Sequence, residues 1–268
     1  MTHHDIFNRL WVDYTLQNPS TKKVYDLFTG EGETVTNDHI AFRTFRHPSI
    51  GVDKLAQVFL KNGYEYKGDY HFEAKKLYAK HFEHQTDQEA PRVFISELLT
   101  DKFSPFLQQT VNQWISKIPA FMCDSDDLIY AGNISGLPSF KLYETLRAES
   151  EYAAWLYVNG FCANHFTVSV NRLKNINSIQ KVNEFLKSHG FKLNDAGGEI
   201  QGTPEELLEQ SSIRAEMVKF NFTEGQHEIP GCYYEFARRY PDSDGKLYNG
   251  FIARSADKIF ESTNFYQK

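Results

Sequence analysis

The sequence predicts an α+β fold built from two βαβββ units with additional helices, and three observations carry that prediction. A histidine-bearing segment with a period of two, the signature of a strand, occurs twice: His39 to Phe45 and Asn164 to Val170. Each is followed by an amphipathic helix that stops at a glycine, at Gly63, 24 residues after His39, and at Gly190, 25 residues after His165. Each unit also closes on a strand with a glutamate among apolar residues, Glu97 in the first and Glu235 in the second. Matching order and spacing read as an internal duplication.

Taken in order, Ile6, Leu10, Trp11 and Tyr14 recur at helical spacing until Asn18-Pro19-Ser20 breaks the run. Ser20 is a candidate cap for a second helix carrying Val24, Leu27 and Phe28. After the strand from His39, Val52, Leu55 and Phe59 mark one face of a helix ending at Asn62-Gly63. Aromatic strands are expected at Tyr64–Tyr70, Lys76–Phe82 and Arg92–Leu98. Residues 101–157 read as helical: Ser104-Pro105 supplies a cap and first turn, and Phe106, Leu107, Val111, Trp114 and Ile115 form a stripe. In the second unit Ile179, Val182, Phe185 and Leu186 give the helix, and Thr203-Pro204-Glu205-Glu206 predicts a short inserted one through a capping box. The expected organisation is a single domain over 1–268, with repeats at about 37–100 and 160–240, a helical segment at 1–30 and a helical insertion at 101–157.

Composition narrows the function. Of 268 residues, 41% are hydrophobic and 24% charged, an ordinary globular balance, and 15% are aromatic, which suits strands and lined pockets. A net charge of -6 argues against nucleic acid as a partner. No apolar run approaches a membrane span, and no signal-peptide core follows the N-terminus. Cys123, Cys162 and Cys232, odd in number and without CxxC spacing, fit a reducing compartment, so a cytoplasmic protein is expected. There is no GxSxG elbow for a serine hydrolase.

Paired βαβββ units that open on His-bearing strands and close on Glu-bearing strands resemble the vicinal oxygen chelate superfamily. That likeness implies a cupped, partly closed mixed sheet holding a divalent metal on its concave face. A narrower resemblance rests on His39 with Arg43, Asn164-His165-Phe166, Gln210-Ser211-Ser212, Tyr233-Tyr234-Glu235-Phe236 and Asn249-Gly250-Phe251. Together these motifs resemble the 2-oxoadipate dioxygenase/decarboxylase (hydroxyglutarate synthase) family, over roughly Asp38 to Ser262. The resemblance implies metal ligands at His39, His165 and Glu235 and a substrate-carboxylate clamp at Arg43. It also implies an Fe(II) enzyme that takes a 2-oxo dicarboxylate and O2 to a 2-hydroxy acid and CO2, with 2-oxoadipate in and 2-hydroxyglutarate out, a step in lysine breakdown. Two His and one carboxylate suit Fe(II), Mn(II), Ni(II) or Zn(II) and leave coordination positions open. Arg43 has a geometric rationale of its own: residues i and i+4 of a strand share a face, roughly 13 Å apart at the backbone, within an arginine's lean.

Several assignments stay open at this level. Glu97 is a fourth ligand or a supporting residue, and the alternative partners of Glu235 are Arg238 and Arg239. Ser211 and Ser212 either contact substrate or end the helix begun at Thr203, and Arg254 is a candidate second carboxylate contact. His71, His81 and His84, with Glu73 and Glu83, read as solvated hairpin residues, and His3 and His4 as a disordered terminus. A second function, a glyoxalase-like lyase or a metal-dependent hydrolase, uses Zn(II) or Ni(II) as a Lewis acid on the same fold. A third is a module that sequesters a small anion without catalysis. The oligomeric state is not legible in the sequence.

Overall fold

The computed structural model describes residues 2–252. The chain forms two compact units: one contains the residues up to Asp13, Ala41–Asn164 and Val218–Ile229, the other Tyr14–Ile40, His165–Met217 and the residues from Pro230 onward. Ahead of the first strand lie helices α1 (His3–Gln17) and α2 (Pro19–Gly30). Helix α2 starts one step earlier than the sequence suggests: Asn18 is its N-cap residue and Pro19 occupies the first turn, while Ser20 is inside the helix and buried. His3 and His4 belong to α1, and the His3 ring is hydrogen-bonded to Asp87 at 3.0 Å, so the expectation of a disordered terminus is corrected.

The first unit takes the second half of β1 (Asn37–Phe45), then α3 (Val52–Lys61), β2 (Tyr64–Phe72), β3 (Leu77–His84) and β4 (Arg92–Leu98). Its strands run in the order β2-β3-β4-β1, with antiparallel β2/β3 and β3/β4 ladders. Helix α3 packs Leu55, Val58 and Phe59 inward, and Phe59 meets Phe42 of β1 and Tyr64 of β2. It ends where expected, because Gly63 takes a φ of 89° that disfavours any Cβ. The insertion supplies α4 (Pro105–Ile115), α5 (Ala120–Cys123), α6 (Phe140–Glu149) and α7 (Glu151–Asn159). Trp114 of α4 lies against Phe45 and Phe161, and the Tyr152 hydroxyl of α7 donates to the Ser96 carbonyl.

The second unit takes the first half of β1, then β5 (Ala163–Ser169), α8 (Ile179–Ser188), β6 (Gln201–Thr203), β7 (Leu208–Ser212) and β10 (Glu235–Arg239). Its strand order is β1-β5-β10-β7-β6, with β10 parallel to β5 and antiparallel to β7. Ser178 caps α8 by accepting from the Lys181 amide, and Ile179, Val182 and Leu186 are buried. The helix predicted at 203–206 is absent. The Thr203 hydroxyl does accept from the Glu206 amide, but that bond closes only a turn between β6 and β7, with Leu207 at a φ of 65°. A hairpin, β8 (Met217–Phe222) and β9 (Gly225–Pro230), falls in sequence between β7 and β10. The fold is therefore α+β with a mixed sheet, and each duplicated order, β1-α3-β2-β3-β4 and β5-α8-β6-β7-β10, is present, the second interrupted by that hairpin. Among the described residues no helix is long and apolar enough to cross a membrane.

Candidate metal centre

Strand alternation and register bring three residues far apart in sequence to one place. Glu235 pairs with Thr167 on β5, so the side chains of Glu235, Thr167 and His165 share a face of the second unit's sheet. His39 enters from β1 and meets them: its Nε2 lies 3.5 Å from Glu235 Oε1, and His165 Nε2 lies 3.2 Å from Glu235 Oε2. One ligand atom from each of the three falls within 4.8 Å of the others, and all three side chains are buried. The imidazole planes stand at 84°, so their nitrogens converge without stacking.

The surrounding groups orient these donors. His39 Nδ1 is 2.8 Å from Asp38 Oδ1, which leaves Nε2 as the nitrogen that could ligate a metal. Arg239 grips Asp38 with both arms of its fork, Nε to Oδ2 at 2.7 Å and Nη2 to Oδ1 at 2.9 Å. The Thr167 hydroxyl lies 3.1 Å from His39 Nε2, and Gln210 donates to Glu235 Oε1. Tyr233 stacks on the His165 ring at 4.8 Å. Burial pushes the Glu235 carboxyl up to about 8, and nearby Asp38 adds to this, against the Gln210 hydrogen bond and the Arg239 charge.

That donor set fits a divalent cation. Asp38 and Arg239 offset one another, and burial disfavours an ionised Glu235 unless a cation held with the two imidazoles compensates its charge. Two nitrogens and one carboxylate leave open coordination positions, as a substrate-binding metal needs.

Other expected site residues fall differently. Arg43 is buried, with its guanidinium against the rings of Tyr152 (5.0 Å) and Trp155 (5.1 Å). Glu97 is engaged elsewhere: it accepts from Arg46 Nε at 2.8 Å and from the Val52 amide at 3.0 Å, at the start of α3. Ser211 lies on β7. It sits opposite Phe236 in the register, so it points to the face away from Glu235, whereas Ser212 and Gln210 point toward it. Arg239, offered as a partner for Glu235, pairs with Asp38 instead. His81 is not solvated but buried, held by the Tyr70 hydroxyl and Glu83. Arg254 lies outside the described residues. Sequence reasoning missed Asp38 and Thr167, and it gave Gln210 no role although the residue lies in the Gln210-Ser211-Ser212 motif. Adjacent residues on a strand ordinarily point apart, which hides a contact such as Asp38 to His39.

A mixed α+β sheet with a buried His-His-Glu set defines a fold with a candidate metal centre. A glyoxalase-superfamily protein, provisionally so described, from Ralstonia eutropha shares the fold at a TM-score of 0.70 and 22% identity, over 90% of this chain and 83% of that one. The sequence profile of the 2-oxoadipate dioxygenase/decarboxylase family matches residues 15–129 and 126–243, and the chain belongs to that family. The 2-oxoadipate dioxygenase/decarboxylase (chloroplastic/amyloplastic) of Oryza sativa subsp. japonica is 37% identical over 94% of this chain and 76% of its own length. The crystal structure of hydroxyglutarate synthase from Oryza sativa in complex with 2-oxoadipate superposes with a TM-score of 0.86 at 34% identity, covering 98% of this chain and 93% of that one. A Shewanella frigidimarina structure assigned provisionally to the hydrolases gives 0.88 at 48%, covering 94% and 98%. The protein is an enzyme of the oxygenase–decarboxylase class.

Proposed function

We propose that the enzyme holds Fe(II) at His39, His165 and Glu235 and converts 2-oxoadipate and O2 to 2-hydroxyglutarate and CO2. The atoms balance without a second organic reductant: the C1 carboxylate leaves as CO2, one oxygen atom of O2 completes the new carboxylate at C2 and the other becomes the hydroxyl on C3. The observation that carries this reading is the buried convergence of two imidazoles and one carboxylate in a chain of this family. Iron held by His39, His165 and Glu235 would supply the redox chemistry. The protein's own groups do the rest. Asp38 holds the His39 ring through Nδ1, and Gln210 orients Glu235. Burial keeps bulk water from the reacting carbon. Arg43, four residues beyond His39 on β1, takes the distal carboxylate in a two-point grip. A cytoplasmic location accords with Cys123, Cys162 and Cys232, which form no disulfide.

An oxygen-electrode assay of Fe(II)-loaded protein against a panel of 2-oxo dicarboxylic acids tests this. O2 uptake should match CO2 release one to one with 2-oxoadipate and vanish in Glu235→Gln. Substrate turnover without O2 uptake would instead favour the second reading, a Zn(II)- or Ni(II)-dependent hydrolase or lyase, for which the provisional description of the Shewanella structure speaks.

A further inference from the structure

Arg239 uses one guanidinium for two separate tasks. Its Nε and Nη2 hold Asp38, which orients His39, while its Nη1 donates to the carbonyls of Tyr248 at 2.9 Å and Gly250 at 2.8 Å. Gly250 immediately precedes Phe251, whose ring stands edge-on to the His39 imidazole, with centroids 4.9 Å apart at 87°. Phe251 also lies under the guanidinium itself, at 5.2 Å. The Tyr248 ring lies over Gly250, where an added Cβ would come to 2.5 Å from Tyr248 Oη. One side chain thus restrains the His39 ring from its Nδ1 side, through Asp38, and from its flank, through Phe251. Nη1 of a buried guanidinium needs acceptors; here those acceptors belong to the segment that places Phe251 against His39.

We propose that Arg239 is a positioning residue that couples the seating of the 248–251 segment to the readiness of His39 as a metal ligand. The inference rests on the His39-His165-Glu235 reading. The coupling runs both ways: loosening Asp38 loosens the segment, and loosening the segment weakens metal binding. Arginine suits the task because its planar fork offers five donors in fixed directions, whereas an ammonium holds charge without direction.

Co(II) serves as the probe, with affinity measured by competition against a chromophoric chelator and the visible spectrum recorded. Arg239→Lys and Asp38→Asn should each weaken Co(II) by about 10- to 100-fold, and the double variant should lose little more than the worse single one. Phe251→Ala should weaken Co(II) by a smaller factor. Hydrogen exchange in peptides covering 240–252 should quicken in Asp38→Asn, although that substitution lies some 200 residues away in sequence. Apo-protein melting curves establish that each variant folds, and should Arg239→Lys not fold, the near-isosteric Asp38→Asn carries the same predictions. His165→Ala is the control. If it loses Co(II) while Arg239→Lys and Asp38→Asn bind as the wild type does, the positioning role is wrong and the ligand set stands. If His165→Ala itself binds as the wild type does, the ligand set has failed. Unchanged exchange at 240–252 in Asp38→Asn, with Co(II) affinity reduced, would overturn the coupling.

Discussion

Arg43 and Glu97 are both charged groups that the sequence places near a metal, and their surroundings separate them. The Arg43 guanidinium lies between two aromatic rings, an environment that keeps a cation partly desolvated and its grip on an anion strong. Losing such a charged pair costs about 2–5 kcal/mol, so Arg43→Ala should lower kcat/KM for 2-oxoadipate by about 30-fold or more. Metal content should stay at the wild-type level, because a guanidinium is no ligand at neutral pH. Arg43→Lys should recover part of the loss, and a monocarboxylic 2-oxo acid should be far less affected than the dicarboxylate. Equal loss for both acids would show that Arg43 supports the site rather than the substrate. Glu97 makes the opposite prediction. Its carboxylate already accepts from Arg46 and from the first amide of α3, so Glu97→Gln should retain metal, whereas Glu235→Gln should lose at least about tenfold in metal affinity. Equal losses in the two variants, read by metal analysis of protein purified without oxygen, would restore Glu97 as a ligand.

At the scale of elements, helix N-termini are held by side chains from other elements, and this gives one pH-dependent prediction. Glu224, in the turn of the β8–β9 hairpin, accepts from the Ser139 hydroxyl at 2.6 Å and from the Phe140 and Lys141 amides, at the start of α6. These bonds hold its carboxyl down at about 2, against an ordinary 4.5. The folded state therefore gains from an ionised Glu224 at all pH values above 4.5, and that gain fades as pH falls from 4.5 toward 2. Glu224→Gln should lower Tm by about 1–3 °C at pH 7 and by nothing near pH 2. A difference that persists at low pH would point to shape rather than charge. Such contacts also mark what the sequence reveals and what it hides. Period-two patterns around His39 and His165, and helices ending at Gly63 and Gly190, were legible because backbone geometry imposes them locally. Thr203-Pro204-Glu205-Glu206 misled because a capping box and a tight turn use the same first bond, and only the antiparallel pairing of β6 with β7 decides between them. The candidate ligands His39, His165 and Glu235 were implied by the family resemblance, but which of Ser211 and Ser212 shares the Glu235 face could not be read, because the register of β7 against β10 is a tertiary fact.

For the whole molecule, the placement of the ligands decides where a bound metal acts. His39, His165 and Glu235 are separated by 126 and 70 residues of sequence, yet all three belong to the second compact unit. A cation that binds the folded site and not the unfolded chain stabilises by about 2.7 kcal/mol at a hundredfold excess over Kd. For a chain of this size that corresponds to a rise in Tm of about 5–10 °C on adding Fe(II) or Co(II), reversed by a chelator. The gain should be local. Hydrogen exchange should slow in residues 37–40, 165–169, 208–212 and 235–239, while β3 of the first unit, residues 77–84, exchanges at its metal-free rate. Because ligand binding then stabilises one unit beyond the other, the melting curve should broaden or split when metal is added, a departure from two-state behaviour that the apo protein need not share. His165→Ala and Glu235→Gln should abolish the shift and the protection together. A rise of the same size in both variants would mean that the added ion binds elsewhere. Protection extending equally into 77–84 would mean that the two units unfold as one, and the division between them would then have no thermodynamic consequence.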